Sequence, residues 1–344
     1  MKKILFIIED YYQELGGSFE AFGSTSYQLN KEKIKVKSIF FNNGEIKKRI
    51  NITKVIKNHD IVHFFGAWTI NHIKTIILAL IYRKKIIITP MGTFEPWSLS
   101  QKKIKKKIAL IFYQKTLLKK AHLIHCTSKN EQENIKKLDD DIKTIYIPHA
   151  YVGLNYEKKI INSDQKIKKM LFFSRIHKKK GLDMLINAWS ELRPTNWILD
   201  IIGPDSDGTS YGLKKKIEKY NLTESIFLKE PIFGLNKKKE LFIKYDFSIL
   251  PSKNENFGYS ILESLRHSLP VITNTNTPWA EINDYDAGCY ISDDYETLKQ
   301  TLLKVFNFSN KEILKKSQNA YKLSKQYEWK SALKKYEDMY LSLI

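Results

Sequence analysis

The stretch PSKNENFGYSILESLRHSLPV, residues 251–271, decides the fold class of this chain and contains its most informative pair of residues. It follows a short apolar run typical of a buried strand and passes through a polar loop into a segment of helical period. Glu255 lies in the loop, and Glu263 lies eight residues later in the helix. In open parallel sheets, ligands bind where strands end and helices begin. The loop is therefore the first candidate for a binding site.

The helix start between the two glutamates is a candidate anion site. It contains Phe257, Gly258, Tyr259 and Ser260, and its free N–H groups and positive dipole end suit a diphosphate. Gly258 keeps side-chain bulk away from that approach. Glu263 is either a surface charge favoured by the helix dipole or, because its neighbours are apolar, a partly buried carboxylate. A buried carboxylate needs hydrogen-bond donors, such as the two hydroxyls of a ribose.

Two cations stand in the segment SRIHKKKGLDML, after the first strand predicted for the second half of the chain. Arg175 can bind two phosphate oxygens with its fork of N–H groups, and Lys180 can supply a point charge from the same loop. The alternative is a solvated basic loop in a lysine-rich chain. Glu255 and Glu263 favour the anion site, because acceptors for sugar hydroxyls would then lie near cations for a diphosphate.

Two glycine-containing turns follow other predicted strands. Gly16 and Gly17 come after the first strand, where they either let the backbone approach a phosphate or only form a turn. The pattern is not GxGxxG, which disfavours a dinucleotide site. Gly203 and Pro204 end a strand of the second half and are expected to leave backbone groups free for a nucleotide base.

Short apolar runs alternate along the chain with stretches of helical period, the pattern of a parallel sheet covered by helices. The alternation is interrupted by a polar, lysine-rich stretch at 156–168 and then begins again. We therefore predict an α/β protein of two doubly wound, Rossmann-like domains, 1–160 and 165–325, with a terminal helix at 326–344 packing back on the first domain. Capping boxes are predicted at Ser128 with Glu131 and at Ser309 with Glu312. The predicted strands are 3–8, 34–41, 60–65, 85–89, 122–126, 143–147, 170–174, 197–202, 225–228, 246–250, 270–273 and 288–291.

Composition limits the function classes. Of 344 residues, 42% are hydrophobic and 12% aromatic, too apolar for a disordered chain. The 58 Lys and Arg exceed the 37 Asp and Glu by 21, which indicates a polyanionic partner, an anionic surface or only a lysine-rich composition. No nucleic-acid partner is predicted, because the aromatic residues are not grouped with basic ones into a base-stacking motif.

Cys126 and Cys289 stand far apart without metal-ligand neighbours, so neither a disulfide nor a zinc site is predicted. The acidic clusters at 139–141 and 205–207 are interpreted as solvated turns. The first apolar run is too short for a secretion signal. No run reaches the roughly 20 residues of a membrane span. These observations predict a cytoplasmic protein without a metal.

In combination, these motifs resemble the retaining glycosyltransferases of family 4, which have the glycosyltransferase-B fold of two Rossmann-like domains facing across a cleft. The resemblance covers essentially the whole chain, including its aromatic terminal helix. It rests on Gly16-Gly17, Arg175 with Lys180, Gly203-Pro204 and residues 251–271, in which Glu255 and Glu263 match the family's E-x7-E pair.

The resemblance implies a nucleotide-diphosphate sugar as donor, with no cofactor and no metal. It implies that Glu263 binds the nucleotide ribose and that Glu255 contacts the transferred sugar. Arg175 and Lys180 would hold the diphosphate and offset charge on the departing nucleotide. Gly17 would add a backbone donor from the first domain.

The first domain is expected to hold the acceptor. Its segment ITPMGTFEPWSLSQKKIKKK is similar to one in bacterial transferases that build surface polysaccharides. The family commonly has His or Arg where Met91 stands and Asn where His149 stands, so no side-chain acid or base is expected at either position. His63, Glu95 and Trp97 could equally be strand-end or packing residues. The acceptor-side candidates are His63, Met91, Gly92, Glu95, Trp97 and His149.

Residues 102–120, KKIKKKIALIFYQKTLLKK, interleave eight lysines with apolar residues at helical spacing. A basic helix with an apolar stripe is typical of a membrane-surface segment. A helix of the domain also needs such a stripe to pack on its own sheet. From the sequence both interpretations stay open.

The resulting prediction is an enzyme of surface polysaccharide biosynthesis on the inner face of the membrane. It would move a hexosyl unit from a nucleotide-diphosphate sugar to a lipid-linked saccharide, with retention at the anomeric carbon. The alternatives are a nucleotide-sugar epimerase or a sugar phosphorylase of the same fold. From other classes, the alternatives are a basic nucleic-acid-binding protein and a non-catalytic scaffold.

Overall fold

The computed structural model describes residues 3–9, 17–31, 34–42, 45–46, 51–151, 167–205 and 207–343. The chain divides into two compact units. Unit 1 comprises Met1–Val152 and Glu328–Ile344, and unit 2 comprises Gly153–Tyr327. The chain thus leaves unit 1 once and returns to it for its last helix.

The described strands form one sheet in each unit. In unit 1 they are β1 (Lys3–Glu9), β2 (Lys35–Asn42), β3 (Glu45–Ile46), β4 (Ile61–Phe65), β5 (Lys85–Thr89), β6 (Leu123–Cys126) and β7 (Thr144–Tyr146). In unit 2 they are β8 (Lys168–Phe173), β9 (Trp197–Ile202), β10 (Ile226–Lys229), β11 (Phe247–Leu250), β12 (Val271–Asn274) and β13 (Gly288–Ile291).

The described helices lie between these strands. In unit 1 the chain first forms α1 (Gly17–Lys31), α2 (Ile52–Lys57), α3 (Ile70–Ile81), α4 (Pro96–Ser100), α5 (Lys103–Ala109), α6 (Lys115–Lys120) and α7 (Lys129–Leu138). A π-helical turn, Leu110–Gln114, joins α5 to α6. Unit 2 contains α8 (Leu182–Leu192), α9 (Thr209–Lys219), α10 (Leu235–Phe242), α11 (Tyr259–Arg266), α12 (Glu281–Asp284), α13 (Tyr295–Phe306) and α14 (Asn310–Ser324). The last helix, α15 (Trp329–Leu341), belongs to unit 1.

Both sheets have doubly wound topology. The strand order is β3-β2-β1-β4-β5-β6-β7 in unit 1 and β10-β9-β8-β11-β12-β13 in unit 2. The described pairings are parallel, except that β3 runs antiparallel to β2. The predicted α/β class is confirmed, and each predicted strand occurs within two residues of its expected ends. The two-residue strand β3 was not predicted, because it is too short to show a period.

Helix α15 completes the core of unit 1, as the fold prediction expected. The Trp329 N–H donates to the Tyr151 carbonyl at 2.7 Å where the chain returns. Trp329, Tyr336, Met339 and Tyr340 are buried in one cluster with apolar residues of β1 and β4. The predicted capping box of Ser309 with Glu312 is present at the start of α14.

Candidate functional site

Three loops of unit 2 pack on one another at the carboxyl ends of β8, β9 and β11. A Cβ atom at Gly203 would lie 1.9 Å from the Ser174 carbonyl oxygen, and one at Gly181 would lie 1.9 Å from the Pro251 carbonyl oxygen. These glycines therefore permit contact between backbones that any other residue would separate. The three loops are held at fixed positions at the edge where this class of sheet binds ligands.

Lys180 and Glu255 form an ion pair between two of these loops. The Lys180 Nζ lies 2.5 Å from the Glu255 Oε1, and the side chains are only 9% and 11% exposed. The Ser252 hydroxyl donates to the same oxygen at 2.7 Å. Burial alone would raise the pKa of Glu255, but Lys180 and Ser252 outweigh it, so the pKa lies below its ordinary value. Glu255 is therefore held as a carboxylate.

The backbone of Glu255 is fixed by the loop that follows β12. The Glu255 N–H donates to the Asn276 carbonyl at 2.9 Å. Asp293 in turn accepts from the side-chain amides of Asn274 and Asn276, at 2.8 and 2.5 Å. Asp293 was not predicted from the sequence, because no spacing rule connects this turn with the loop of Glu255.

Glu263 is buried rather than a surface charge. The residue lies on α11, is 4% exposed, and its Oε1 accepts from the Nζ of Lys238 on α10 at 2.7 Å. The Lys238 ammonium also lies 5.5 Å from the centre of the Phe173 ring, at the end of β8. Lys238 was missed as well, because it stands among other lysines in a helix without a motif.

The helix start between the glutamates is shaped by packing. Gly258 has a φ of 74°, in the left-handed region, and a Cβ there would lie 3.0 Å from the Ile261 Cδ1. The indole of Trp279 donates to the Phe257 carbonyl. The Phe257 ring packs against the rings of Trp279 and Tyr327. Phe257 is thus a packing residue that holds the loop, and Gly258 is required by the turn itself.

The other two residues of the helix start lie beside this turn. Tyr259 is buried, and Ser260 is half-buried. The Ser260 carbonyl accepts from the Ser264 hydroxyl at 3.0 Å, one turn along α11. They remain candidates for donor contacts through their backbone groups.

Gly203 and Pro204 lie where the ends of β8 and β9 meet. The Pro204 carbonyl accepts from the Ile176 N–H at 2.9 Å, and Gly203 is tightly packed against Ser174. These residues join the ends of β8 and β9, and a base contact from their backbone groups stays a prediction.

Arg175 is half-buried in the loop after β8. Its side chain forms no hydrogen bond or ion pair with any residue of the described ranges. It therefore differs from Lys180, which is already bound to a carboxylate. Gly17 is the first residue of α1, and Gly16 lies outside the described residues.

In unit 1, His63 belongs to a buried chain of hydrogen bonds that crosses the sheet. Because the Ile147 carbonyl only accepts, the Nε2–H of His125 donates to it at 2.8 Å. The neutral ring then accepts at Nδ1 from the Thr89 hydroxyl at 2.9 Å. Thr89 accepts from the Nε2–H of His63 at 2.7 Å, and the Nδ1 of His63 accepts from the Tyr340 hydroxyl at 2.9 Å. Both histidines are thus neutral, and each donates through Nε2–H and accepts at Nδ1.

His63 is removed from the acceptor-side candidates by this geometry. The residue is 0% exposed, and both ring nitrogens are engaged. It anchors α15 to the sheet instead. His149, another candidate, is 7% exposed, and burial lowers its pKa to about 3.

We expect the stability of the protein to fall as the pH decreases below about 6.5. Burial lowers the pKa of His125 to about 4 and that of His63 well below its ordinary value. The unfolded chain therefore binds more protons than the native state below the ordinary pKa of about 6.5, so the free energy of unfolding becomes smaller as the pH falls. Melting temperatures between pH 7.5 and 5 measure this slope, and His125→Gln is expected to flatten it. An unchanged slope in that variant would contradict the assignment.

The turn after β5 carries three other acceptor-side candidates. Met91 and Gly92 both have left-handed φ values, 56° and 77°, and Met91 is a strained position for a residue with a side chain. The Gly92 N–H donates to the Glu131 carboxylate at 2.5 Å. Glu95 is 5% exposed and accepts from the side-chain amide of Asn134 at 2.8 Å.

The N-cap predicted at Ser128 is present. The Ser128 hydroxyl accepts from the Glu131 N–H at 3.1 Å. The Glu131 carboxylate also accepts from the Thr127 N–H and from the Gly92 N–H. Glu131 thereby joins the ends of β5 and β6 and holds the Met91 turn. Trp97, half-buried, begins α4 beside this turn.

Residues 102–120 form α5 and α6 on either side of the π turn. Leu117 and Leu118 are buried in the core, and the Gln114 amide donates to the Ala67 carbonyl at 2.8 Å. On α5 and the π turn, four apolar side chains are exposed by 51% to 77%, namely Ile104, Ile108, Ile111 and Phe112. We call these four residues the 104–112 face.

The lysines of this segment divide in the same way. Lys115 and Lys119 bind Asp139 at 3.2 and 3.1 Å, and Lys106 donates to the Ser98 carbonyl at 2.6 Å. Four lysines beside the 104–112 face, however, are exposed and form no ion pair with any described residue: Lys102, at the N-cap of α5, and Lys103, Lys105 and Lys107 on α5. The segment therefore has both an apolar side that packs on the sheet and an exposed basic, apolar side.

The acidic turn at 205–207 caps a helix. Asp205 accepts from the backbone N–H groups of Thr209 and Ser210, both at 3.1 Å, at the start of α9. Within the described ranges, no three His, Cys, Asp or Glu side chains converge as a metal site requires. In the same ranges, no helix has the length and apolarity needed to span a bilayer.

Two bacterial proteins are similar in sequence to parts of the chain. A 41.2 kDa uncharacterized protein of the cps region of Klebsiella pneumoniae is 27% identical over 247 residues, 67% of this chain and 65% of that protein. The O-antigen biosynthesis glycosyltransferase WclY of Escherichia coli is 25% identical over 171 residues, 49% of this chain and 45% of WclY. The chain thus spans less than two thirds of the length of either relative.

Solved structures resemble the whole chain. Anabaena HepE, crystallised with UDP and glucose, is 17% identical with a TM-score of 0.76, over 100% of both chains. WaaG, described as a glycosyltransferase involved in lipopolysaccharide biosynthesis, is 16% identical with a TM-score of 0.72, over 98% of this chain and 99% of WaaG. At these identities the likeness establishes the fold. The sequence profile of the family described as glycosyl transferases group 1 matches residues 155–331, more than half of the chain, which therefore belongs to that family.

Proposed function

We propose that the protein transfers a hexosyl unit from a nucleotide-diphosphate sugar to a lipid-linked saccharide, with retention at the anomeric carbon. The observation that carries the proposal is the buried Lys180–Glu255 ion pair, in the half of the chain that matches the family. The pair lies at the carboxyl ends of the strands, where this class of sheet binds ligands. There, a carboxylate can accept from sugar hydroxyls and a cation can bind a diphosphate. The relative in the cps region and the O-antigen biosynthesis glycosyltransferase WclY support a role in surface polysaccharide biosynthesis.

In this proposal, unit 2 binds the donor. The diphosphate competes with Glu255 for Lys180 and takes Arg175 as a second cation, which has no partner among the described residues. Glu255, released from Lys180, accepts from hydroxyls of the transferred sugar. Glu263 accepts from the ribose. The complexes of HepE with UDP and with UDP-glucose support a nucleotide sugar of this kind.

The reaction exchanges one bond at the anomeric carbon for another. The bond to the diphosphate breaks with its electron pair on the leaving oxygen, and the acceptor oxygen bonds to the same face of the sugar. The acceptor proton passes to the departing phosphate. Lys180 and Arg175 would stabilise the charge on that phosphate, so the proposal requires no metal.

The donor half of the proposal is tested by a thermal-shift and calorimetric screen of UDP, GDP and their sugars. A ligand at about 100 times its dissociation constant stabilises the native state by about 2.7 kcal/mol. Transfer is then tested with labelled donor and a lipid-linked saccharide, and the product linkage is assigned by NMR. Product formation without an acceptor would indicate an epimerase, and a requirement for free phosphate would indicate a phosphorylase. Nucleic-acid binding without nucleotide affinity would contradict the proposal.

We further propose that the 104–112 face binds the anionic inner surface of the cytoplasmic membrane, where a lipid-linked acceptor lies. Its four exposed apolar side chains adjoin lysines without ion-pair partners among the described residues. Each lysine near an anionic surface contributes about 1 kcal/mol, and burial of an apolar side chain contributes about 1.5–3 kcal/mol. This arrangement is that of a peripheral membrane protein.

The double substitution Ile111→Ser with Phe112→Ser is expected to weaken binding to phosphatidylglycerol vesicles at least about tenfold, because two exposed apolar anchors are lost. Co-sedimentation measures the binding, and added salt is expected to weaken it further. Leu303→Ser is the control, because Leu303 is an apolar side chain that is 52% exposed on α13 of unit 2 and does not belong to the 104–112 face. Equal binding by the double variant and the control would refute the membrane proposal.

A further inference from the structure

We infer that Lys238 is a positioning residue for nucleotide recognition. It keeps the Glu263 carboxylate ionised and fixes its orientation. This inference rests on the proposed function, since it assigns Lys238 a role in the same donor site. Lys238 and Glu263 are each 4% exposed, and their charged atoms lie 2.7 Å apart.

As a contact, this buried ion pair is expected to contribute little to the free energy of unfolding. Removing two charges from water costs several kcal/mol each, and an apolar pair of similar volume is often as stable. A carboxylate that must accept from ribose hydroxyls, however, has to be charged and fixed before the ligand arrives. Lys238 supplies both conditions for Glu263, because it compensates the charge and holds one carboxylate oxygen.

The groups packed around Glu263 come from α11, β11, β12 and α14. On α11, the ring of His267 donates its Nδ1–H to the Glu263 carbonyl at 2.7 Å and stacks on Phe242. Arg266, also on α11, is 5% exposed. Strands β11 and β12 contain no titratable residue, and the buried face of α14, which packs on α11, is uncharged. Lys238 places its ammonium directly on the Glu263 carboxylate.

Lys238 also has a fixed position of its own. Its backbone N–H donates to the Gly234 carbonyl at 3.1 Å in the first turn of α10. Its ammonium lies over the Phe173 ring, and Phe173 in turn packs edge-on against Phe242 of the same helix. The Lys238 ammonium is therefore held between the end of β8 and Glu263. The contacts that hold it do not involve Arg175 or Lys180, the candidates for binding the diphosphate.

The substitution Lys238→Met tests the inference through pH dependence. Without Lys238, burial raises the pKa of Glu263, so the carboxyl takes up a proton at mildly acid pH and no longer accepts from both hydroxyls. We expect the affinity for UDP or GDP, by calorimetry, to fall at least about tenfold at pH 6 and to recover towards that of the wild type at pH 8.5. The terminal phosphate of the probe itself ionises near pH ~6, so the ratio of variant to wild type is compared at each pH.

Lys237→Met is the matched control, because Lys237 is exposed on the same helix. This substitution removes one charge but leaves the contact between Lys238 and Glu263 in place. If Lys238→Met does not fold, Lys238→Gln carries the same test, since its amide retains a donor without the charge. Lys238→Arg is expected to keep the pH profile of the wild type. A loss of affinity that is equal at every pH, or no loss, would overturn the inference. Failure of the wild type to bind either nucleotide would instead refute the donor proposal.

Discussion

Lys180→Met is expected to lower kcat about 10²- to 10³-fold, the range for loss of one group that stabilises transition-state charge. The substitution removes the cation proposed to take the departing phosphate. It also leaves Glu255 buried without its counter-charge, so the pKa of that carboxyl rises, because burial is no longer offset. Steady-state kinetics with the donor identified by binding measure the effect, and KM is expected to change less than kcat.

The control for this variant is Lys178→Met, in the same loop and exposed. Removal of that charge is expected to change kcat less than about threefold, since exposed charges are screened. If both substitutions reduce kcat equally, the general positive charge of the loop matters and the specific role of Lys180 is wrong. The melting temperature of each variant separates a catalytic loss from a folding defect.

Gly203→Ala is expected to destabilise the protein by at least about 3 kcal/mol, the upper range for forced overpacking. The new Cβ would lie 1.9 Å from the Ser174 carbonyl oxygen and 2.6 Å from its carbon. Both atoms belong to the backbone, so β8 and β9 must move apart to admit the methyl group. Chemical denaturation measures the difference in the free energy of unfolding.

Gly212→Ala is the matched control for this substitution. Gly212 lies within α9, and no heavy atom outside its own helix backbone lies within 4 Å of a Cβ built there. Alanine is the better helix former, so we expect a gain of about 0.5–1 kcal/mol. A small effect of both substitutions would show that the loop of Gly203 yields easily, contrary to the packing described above.

The fold was predictable because its signals are local. Each strand is a short apolar run, and the two sheets follow from the alternation of such runs with helical segments. Glu255 and Glu263 could be proposed as site residues for the same reason, since one loop and the helix that follows it contain both. Their burial and their partners, however, were not encoded in that stretch.

The residues missed by the sequence analysis act over long distances in the chain. Lys238 precedes Glu263 by a helix and a strand, and Asp293 reaches Glu255 only through Asn276. Glu131 was assigned to a helix cap by its spacing, but its carboxylate lies on Gly92 of another loop. His63 was considered as an acceptor-side residue or a strand-end or packing residue, and its ring hydrogen-bonds to Tyr340 in the last helix.

The return of the chain to unit 1 determines the order in which the two units can be finished. Synthesis proceeds from the N-terminus, so the strands of unit 2 are all made before α15 supplies Tyr336 and Tyr340 to the first sheet. Until then Phe6, Ile61 and the ring of His63 lack the surface that covers them. The apolar face of unit 1 that α15 covers therefore stays exposed until the end of the chain has been synthesised. We expect chaperones to bind the nascent chain at this face.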